Sequence, residues 1–222
     1  MKKHLIIVFA ALTLVACKKE SYDSGDGELS YMRADFGEVH TQTAKILDYA
    51  ITDDGEKVAF VSKMSCPWAL KGDSLYRALF YYKRVDDAHG TEPIAVSQVP
   101  VLRFNEPSDT AKLVTDPVKF ESAWMSSNGK YLNLGFAIMT GKAESNDSKQ
   151  TIGAVCTAKD GAADGTTTWH ITLYHAQNGV PEYYSSRMFA SIPTEKTKKG
   201  DRIIITVNTY GKPFVKEFIV SK

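Results

Sequence analysis

The sequence predicts an all-β protein built as a sandwich, a barrel or both. Apolar residues alternate in short runs, as in Leu132, Leu134, Phe136 and Ile138, and a period of two places such residues on one face of a strand. Turn dipeptides break these runs at short intervals: Asp54-Gly55, Asn128-Gly129, Asp160-Gly161, Asp164-Gly165 and Asn178-Gly179. Such residues tolerate the positive φ that tight turns require. No stretch beyond the N-terminal segment sustains an apolar period of about 3.6 residues, the signature of an amphipathic helix.

From Ala34 onward the elements follow in order. Residues 44–52 and 57–62 flank Asp53-Asp54-Gly55-Glu56, a hairpin signal. Residues 75–85 are rich in Tyr, Phe and Leu, and residues 94–104 in Val and Ile, which is strand composition. Pro100 inside the latter run implies an edge or a bulge, because it has no N–H for a ladder. Asn105-Glu106-Pro107-Ser108-Asp109-Thr110 and then Asp116-Pro117 interrupt the pattern, so a domain boundary is expected between them. Strands are then expected over 118–125, 130–140, 151–157, 167–175, 186–192, 202–209 and 214–220. There is no internal repeat.

The N-terminus has a different character. Lys2 and Lys3 precede an uncharged apolar run from Leu5 to Ala16, which ends in Leu14-Val15-Ala16-Cys17. This is the layout of a secretory signal, and it is shorter than the roughly 20 residues a membrane span needs. The cysteine after the small residues resembles a bacterial lipoprotein box, so residues 1–16 are read as a signal peptide and Cys17 as the lipid attachment site. Stable anchoring takes at least two acyl chains, and a lipidated N-terminal cysteine usually carries three. Residues 17–33 form a polar, Gly- and Ser-rich tether. Lys18-Lys19-Glu20 within it fits equally a surface-export signal or a solvated linker.

Composition narrows the function. Lys and Arg number 27 against 26 Asp and Glu, and 43% of residues are hydrophobic. Removing Lys2 and Lys3 with the signal takes 27 to 25, against 26, a side-chain balance of −1. No basic excess points to nucleic acid. Cys66 and Cys156, ninety residues apart in different predicted domains, read as separate buried thiols, although an exported protein is free to pair them.

The succession of a lipobox, an early hairpin at Asp54-Gly55, Trp124 followed by Tyr131-Leu132-Asn133-Leu134-Gly135-Phe136, and Gly200-Asp201-Arg202-Ile203 near the end resembles the NigD-like lipoproteins. The resemblance spans nearly the whole mature chain. It implies an N-terminal OB-like barrel, here residues 34–105, followed by an antiparallel β-sandwich, residues 117–222. It also implies a role in immunity to a bacteriocin. The family has no catalytic or binding residues to carry over, and Cys17 is the one functional position that transfers.

Chemistry-bearing motifs are sparse. His170 and His175 lie five apart on one expected strand and so face opposite ways, which prevents joint metal chelation. His89 sits in a polar loop and reads as a solvated turn. No Gly-x-Ser-x-Gly elbow, phosphate-binding glycine loop or His-Glu-x-x-His motif occurs. Asp53-Asp54 falls in a turn, and Asp23 to Gly27 is too short for a calcium loop. No cofactor, metal or catalytic residue is assigned, and the chain is read as a non-enzyme. Aromatic residues are the remaining candidates. Trp68, Tyr76 and Tyr82 are ligand contacts if one barrel face is open, since OB folds hold oligosaccharides on a strand face, and barrel packing if it is closed. Trp124 and Trp169 read as sandwich core. The expected protein is a membrane-anchored interaction lipoprotein of the cell envelope, at the outer membrane by resemblance. Its partner would be an envelope protein or a bacteriocin. The alternative is a glycan-binding accessory.

Overall fold

A computed structural model describes residues 32–86, 90–106, 113–142 and 148–221. Twelve strands and no α-helix occur among them. The expected signal, Cys17, the expected tether up to Tyr31 and His89 lie outside the described residues.

The first five strands close into a barrel in the order β1-β2-β3-β5-β4 and back to β1. They are β1 (Met32–Thr43), β2 (Ile46–Thr52), β3 (Lys57–Ser65), β4 (Ser74–Asp86) and β5 (Gly90–Gln98). All pairs are antiparallel except a parallel bridge between β3 and β5 at Phe60 and Thr91. This five-stranded closure is the OB-like arrangement. The β2–β3 turn forms as its sequence suggests. Gly55 adopts a φ of 90°, and the Thr52 hydroxyl donates to Asp54 beside it.

Strand β1 has no counterpart among the strands read from the sequence, and it starts two residues inside the expected tether. Its inward positions are Gly37, Val39 and Thr41, all buried, so only one of the three advertises a core. Gly37 is required there: a Cβ would collide with the Ile51 carbonyl oxygen and press on the Phe80 ring. The barrel core packs Val39, Leu47, Ala50, Val58, Cys66, Ala78, Phe80 and Tyr82.

Strand β5 ends at Gln98, earlier than the expected 104. Pro100 stands outside it, whereas Pro93 lies inside it, at a register shift opposite Tyr81 and Tyr82, where a missing N–H is tolerated. The following segment leaves the barrel, and Leu102 and Phe104 are buried in a second core.

That second core lies between two sheets. One has the order β10-β7-β6, from β6 (Lys119–Met125), β7 (Tyr131–Thr140) and β10 (Tyr184–Pro193). The other has the order β12-β11-β9-β8, from β8 (Thr151–Gly161), β9 (Thr167–Ala176), β11 (Arg202–Val207) and β12 (Phe214–Ile219). Among the paired strands of the sandwich, β9 and β11 depart from the antiparallel expectation and run parallel, because β10 intervenes in the chain and crosses to the other sheet. Leu132, Leu134, Phe136, Trp169, Ile171, Leu173, Ile192, Ile203 and Ile205 fill the core. Each such aliphatic side chain stabilises by about 1.5–3 kcal/mol when fully buried. Cys66 and Cys156 are free and buried, one in each core, and burial raises both thiols above their ordinary pKa.

Candidate functional site

Barrel and sandwich meet on the outer face of the β10-β7-β6 sheet. Alternation along β7 sends Leu132, Leu134 and Phe136 into the core and turns Asn133 and Gly135 to the opposite face. Gly135 lacks a side chain where the Phe189 ring crosses β7; a Cβ would meet that ring at 3.1 Å. Phe189 in turn forms edge-on contacts with Phe36 of β1, 5.1 Å between centroids, and Trp124 stands against Phe36 at 5.3 Å. Trp124, expected in the sandwich core, lies instead on the outer face of the sheet opposite Asn133, as part of the barrel–sandwich contact; alternation along β6 sends its neighbours Ala123 and Met125 toward the core.

The centre of this contact is Arg77 of β4, only 4% exposed. Its guanidinium donates to both carboxylate oxygens of Asp53, at 2.5 and 2.7 Å. It also donates to Asn133 Oδ1 at 2.9 Å and Ser191 Oγ at 3.0 Å. The same group lies over the Tyr131 ring, 4.2 Å from its centroid. A planar fork that is always charged suits such a bidentate, stacked position better than a lysine would. Asn133 Oδ1 also accepts from Ser191 Oγ at 2.7 Å, while its buried Nδ2 has no partner among the described residues. Nearby, Glu38 accepts from the Tyr131 hydroxyl at 2.8 Å and from Lys130 at 3.0 Å. Burial first, and then the bond to Glu38, push the Tyr131 hydroxyl well above its ordinary pKa. Sequence reasoning missed Arg77, Asp53 and Asn133 as a group. They are 24 and 56 positions apart from Arg77, and each alone reads as surface.

Beside this joint runs a groove of about 370 Å³ between the barrel wall and β10, lined by Leu79, Tyr81, Gln98, Pro100, Met188 and Phe189 among others. Ligand sites favour such interfaces between modules. A second, more open cleft of about 460 Å³ lies between β6 and the β11–β12 turn, with Phe120, Tyr210 and Phe214 along it.

The aromatic candidates separate. Tyr82 is enclosed in the barrel at 1% exposure, stacked on Phe80, with its hydroxyl donating to Asp35 at 2.7 Å. It is a packing residue and offers no ligand face, because its strand points it inward with Phe80. Trp68 and Tyr76 do come together, edge to face at 5.8 Å, and both are half-buried against the barrel core. The Tyr76 hydroxyl accepts the Lys71 N–H at 2.7 Å, so the pair props the loop before β4.

The histidines also have structural partners. His175 is buried, its ring nitrogens 3.0 Å from the Asp116 carbonyl and 3.1 Å from Gln150 Oε1. His170, on the opposite face of β9, meets Asp160 at the surface at 2.8 Å. His40 stands between two carboxylates: Nδ1 is 2.6 Å from Asp48 and Nε2 3.2 Å from Asp73. Its ring stacks on Tyr49 at 4.3 Å. The bond to Asp48 is the main cause of a pKa raised above 6.5. Asp201 is 2% exposed, and burial raises its pKa, but N–H donors from Lys198, Thr167 and Trp169 outweigh that and lower it overall. Among the described residues no group of three His, Cys, Asp or Glu side chains is placed to hold a metal ion.

The sequence model for the NigD-like C-terminal beta sandwich domain matches residues 100–217, more than half of the chain. The match starts where the chain leaves the barrel. The structure is similar to that of a NigD-like immunity protein from Bacteroides caccae, with a TM-score of 0.62 and 22% identity over 84% of this chain and 91% of that one. It is similar to a protein of unknown function from Bacteroides vulgatus, TM-score 0.62 and 18% identity, over 85% and 90% of the two chains. A candidate lipoprotein from Bacteroides fragilis matches at TM-score 0.60 and 11% identity, over 86% and 98%. Identities this low show a shared fold. No curated protein matches the sequence.

Proposed function

The chain belongs to the NigD-like family, and from that premise we propose that it is a lipid-anchored, non-catalytic interaction module of the cell envelope. The observation that carries this reading is the buried Arg77 joint, which fixes two β-modules as one frame with a groove alongside. Recognition needs a shaped surface on a rigid support. Catalysis needs titratable groups gathered around a cleft with shifted pKa values, and here His175, His40 and Asp201 are engaged with structural partners instead. Cys17 would carry the lipid and hold the protein at the outer membrane. The partner would be an envelope protein or a bacteriocin, in line with the immunity protein of Bacteroides caccae that shares the fold.

Three measurements test this. Cys17→Ala should move the protein out of the membrane fraction or stall its processing; retention at mature size would place the anchor elsewhere. Crosslinking of the lipidated chain in its own envelope should trap one protein partner. Turnover of a glycan, peptide or ester by the purified protein, abolished by one substitution, would overturn the non-catalytic reading.

A further inference from the structure

We propose that the outer edge of β10, from Ser185 to Phe189, takes up an extended polypeptide segment of a partner protein as an added β-strand. This deepens the interaction reading above and rests on it.

The chain itself already uses this edge at one end. Val101 bridges Ser191 in parallel. The Ser191 N–H donates to the Pro100 carbonyl at 2.9 Å, and the Ser191 carbonyl accepts from Leu102 N–H at 2.8 Å. Both backbone groups of Ser191 thus point away from β7. Backbone groups alternate along an extended strand, and β10 pairs with β7 from Tyr184 to Pro193 with no register shift. Phe189, Arg187 and Ser185 therefore present their N–H and C=O along the same outer edge. The covering segment stops at Pro100, where the chain turns off. The Val99 N–H donates instead to the Arg77 carbonyl in the barrel, at 3.1 Å. The groove opens from that point, with Leu79 and Tyr81 on the barrel wall facing Met188 and Phe189. An added strand would continue the line of residues 100–102. It would set alternate side chains into the groove while its backbone paired with β10.

The other sheet edges are blunted. β6 and β8 each carry a bulge, at Phe120/Ser122 and at Cys156/Ala158. β12 carries Lys216 and Glu217 at its centre. These are the usual protections against strand addition. β10 is straight, and its one charged residue, Arg187, is engaged by Glu121 at 2.5 Å. The guest is thus an extended segment with apolar residues at alternate positions.

The probe is a phage-displayed random dodecapeptide library, selected on the full chain in detergent, with the most enriched peptide then synthesised. Three variants are compared with the wild type. Arg187→Pro removes an N–H that β7 does not use, Arg187→Ala removes the side chain alone, and Leu79→Asp charges the barrel wall without touching β10. The selected peptide should bind Arg187→Pro about tenfold more weakly than Arg187→Ala, which loses the same groove-lining side chain but keeps the backbone N–H. Leu79→Asp should weaken it as well. Bound peptide should slow amide exchange at Arg187 and Phe189. If Arg187→Pro fails to fold, the Leu79→Asp and exchange results decide alone. Equal binding to Arg187→Pro and Arg187→Ala, unchanged exchange, or protection that follows self-association of the chain would overturn strand addition. So would a library that enriches no peptide. A chain that enriches none but still crosslinks to an envelope protein fails only here, whereas one that does neither fails the interaction reading too.

Discussion

The two faces of β7 are held by opposite means. On the inner face Leu132, Leu134 and Phe136 sit among apolar neighbours with no polar partner to satisfy. On the outer face Asn133 lies under a buried guanidinium and a serine, and Gly135 under an aromatic ring. The inner face is strong because area leaves water, and it asks only for volume and shape. The outer face is directional: Arg77 fits only if Asp53, Asn133 and Ser191 all arrive in place. Such a contact fixes orientation more than it adds stability, since desolvating the charges offsets much of their attraction. The difference teaches that the sandwich is held together by its core and oriented against the barrel by its joint.

The largest expected effect breaks the outer face. Arg77→Ala leaves Asp53, Asn133 and Ser191 without their shared donor and should cost about 3–5 kcal/mol in urea denaturation. Arg77→Lys should recover less than half of that, because an ammonium cannot make the bidentate fork. A loss below about 1 kcal/mol would mean that the joint is held by its aromatic contacts alone.

The inner face is probed next. Leu134→Ala should cost about 3 kcal/mol through transfer and cavity terms, and Leu134→Met, which keeps volume, less than about 1.5 kcal/mol. The matched outer test is Asn133→Leu, which keeps the branched shape and the number of heavy atoms. It should cost about 2 kcal/mol, since Arg77 and Ser191 lose their acceptor, although it also removes an unpaired buried N–H. If Asn133→Leu is as harmless as Leu134→Met, the two faces do not differ in kind.

The same contrast explains what could be read from the sequence. The inner face was legible: Leu132, Leu134, Phe136 and Ile138 alternate, and all four lie in or against the core. So were most of the turns, where Gly55, Gly129, Gly165, Asn178 and Gly179 take positive φ; Asp160-Gly161 is the exception, because strand β8 runs on through it to pair with β9. Strand β1 was not, because Gly37 and Thr41 hold inward positions for steric and hydrogen-bonding reasons, without an apolar signal. The parallel β9–β11 pair was hidden too, since pairing order leaves no local mark. The joint was least visible of all. Arg77, Asp53 and Ser191 look like surface residues one at a time, and only the fold brings them together. The edge of β10 shares that limit: the outward direction of its backbone groups follows from its place in the sheet, and no side chain announces it.

The smallest predicted effect tests whether exposure sets the strength of a polar cluster. The His40 cluster is more open than the Arg77 joint: Asp73 is 98% exposed, and the His40 side chain is 14% exposed. The groups facing the ring are Asp48 and Tyr49 on β2 and Asp73 before β4, with Lys57 on the far side of Tyr49. Its folded pKa is raised above 6.5, so the protonated ring favours the folded state. That contribution is complete below 6.5 and is lost as pH rises through the raised value. The expected size is about 1 kcal/mol or less, because one partner is solvent-screened. Thermal midpoints should therefore fall as pH rises above about 6.5, and His40→Gln should flatten that slope. A slope that survives the substitution, or a midpoint that rises over the same range, would assign the pH dependence to another group. Arg77→Ala should lower the midpoint at every pH without changing the slope. That result would mark the joint as a fixed contact and the His40 cluster as a titrating one.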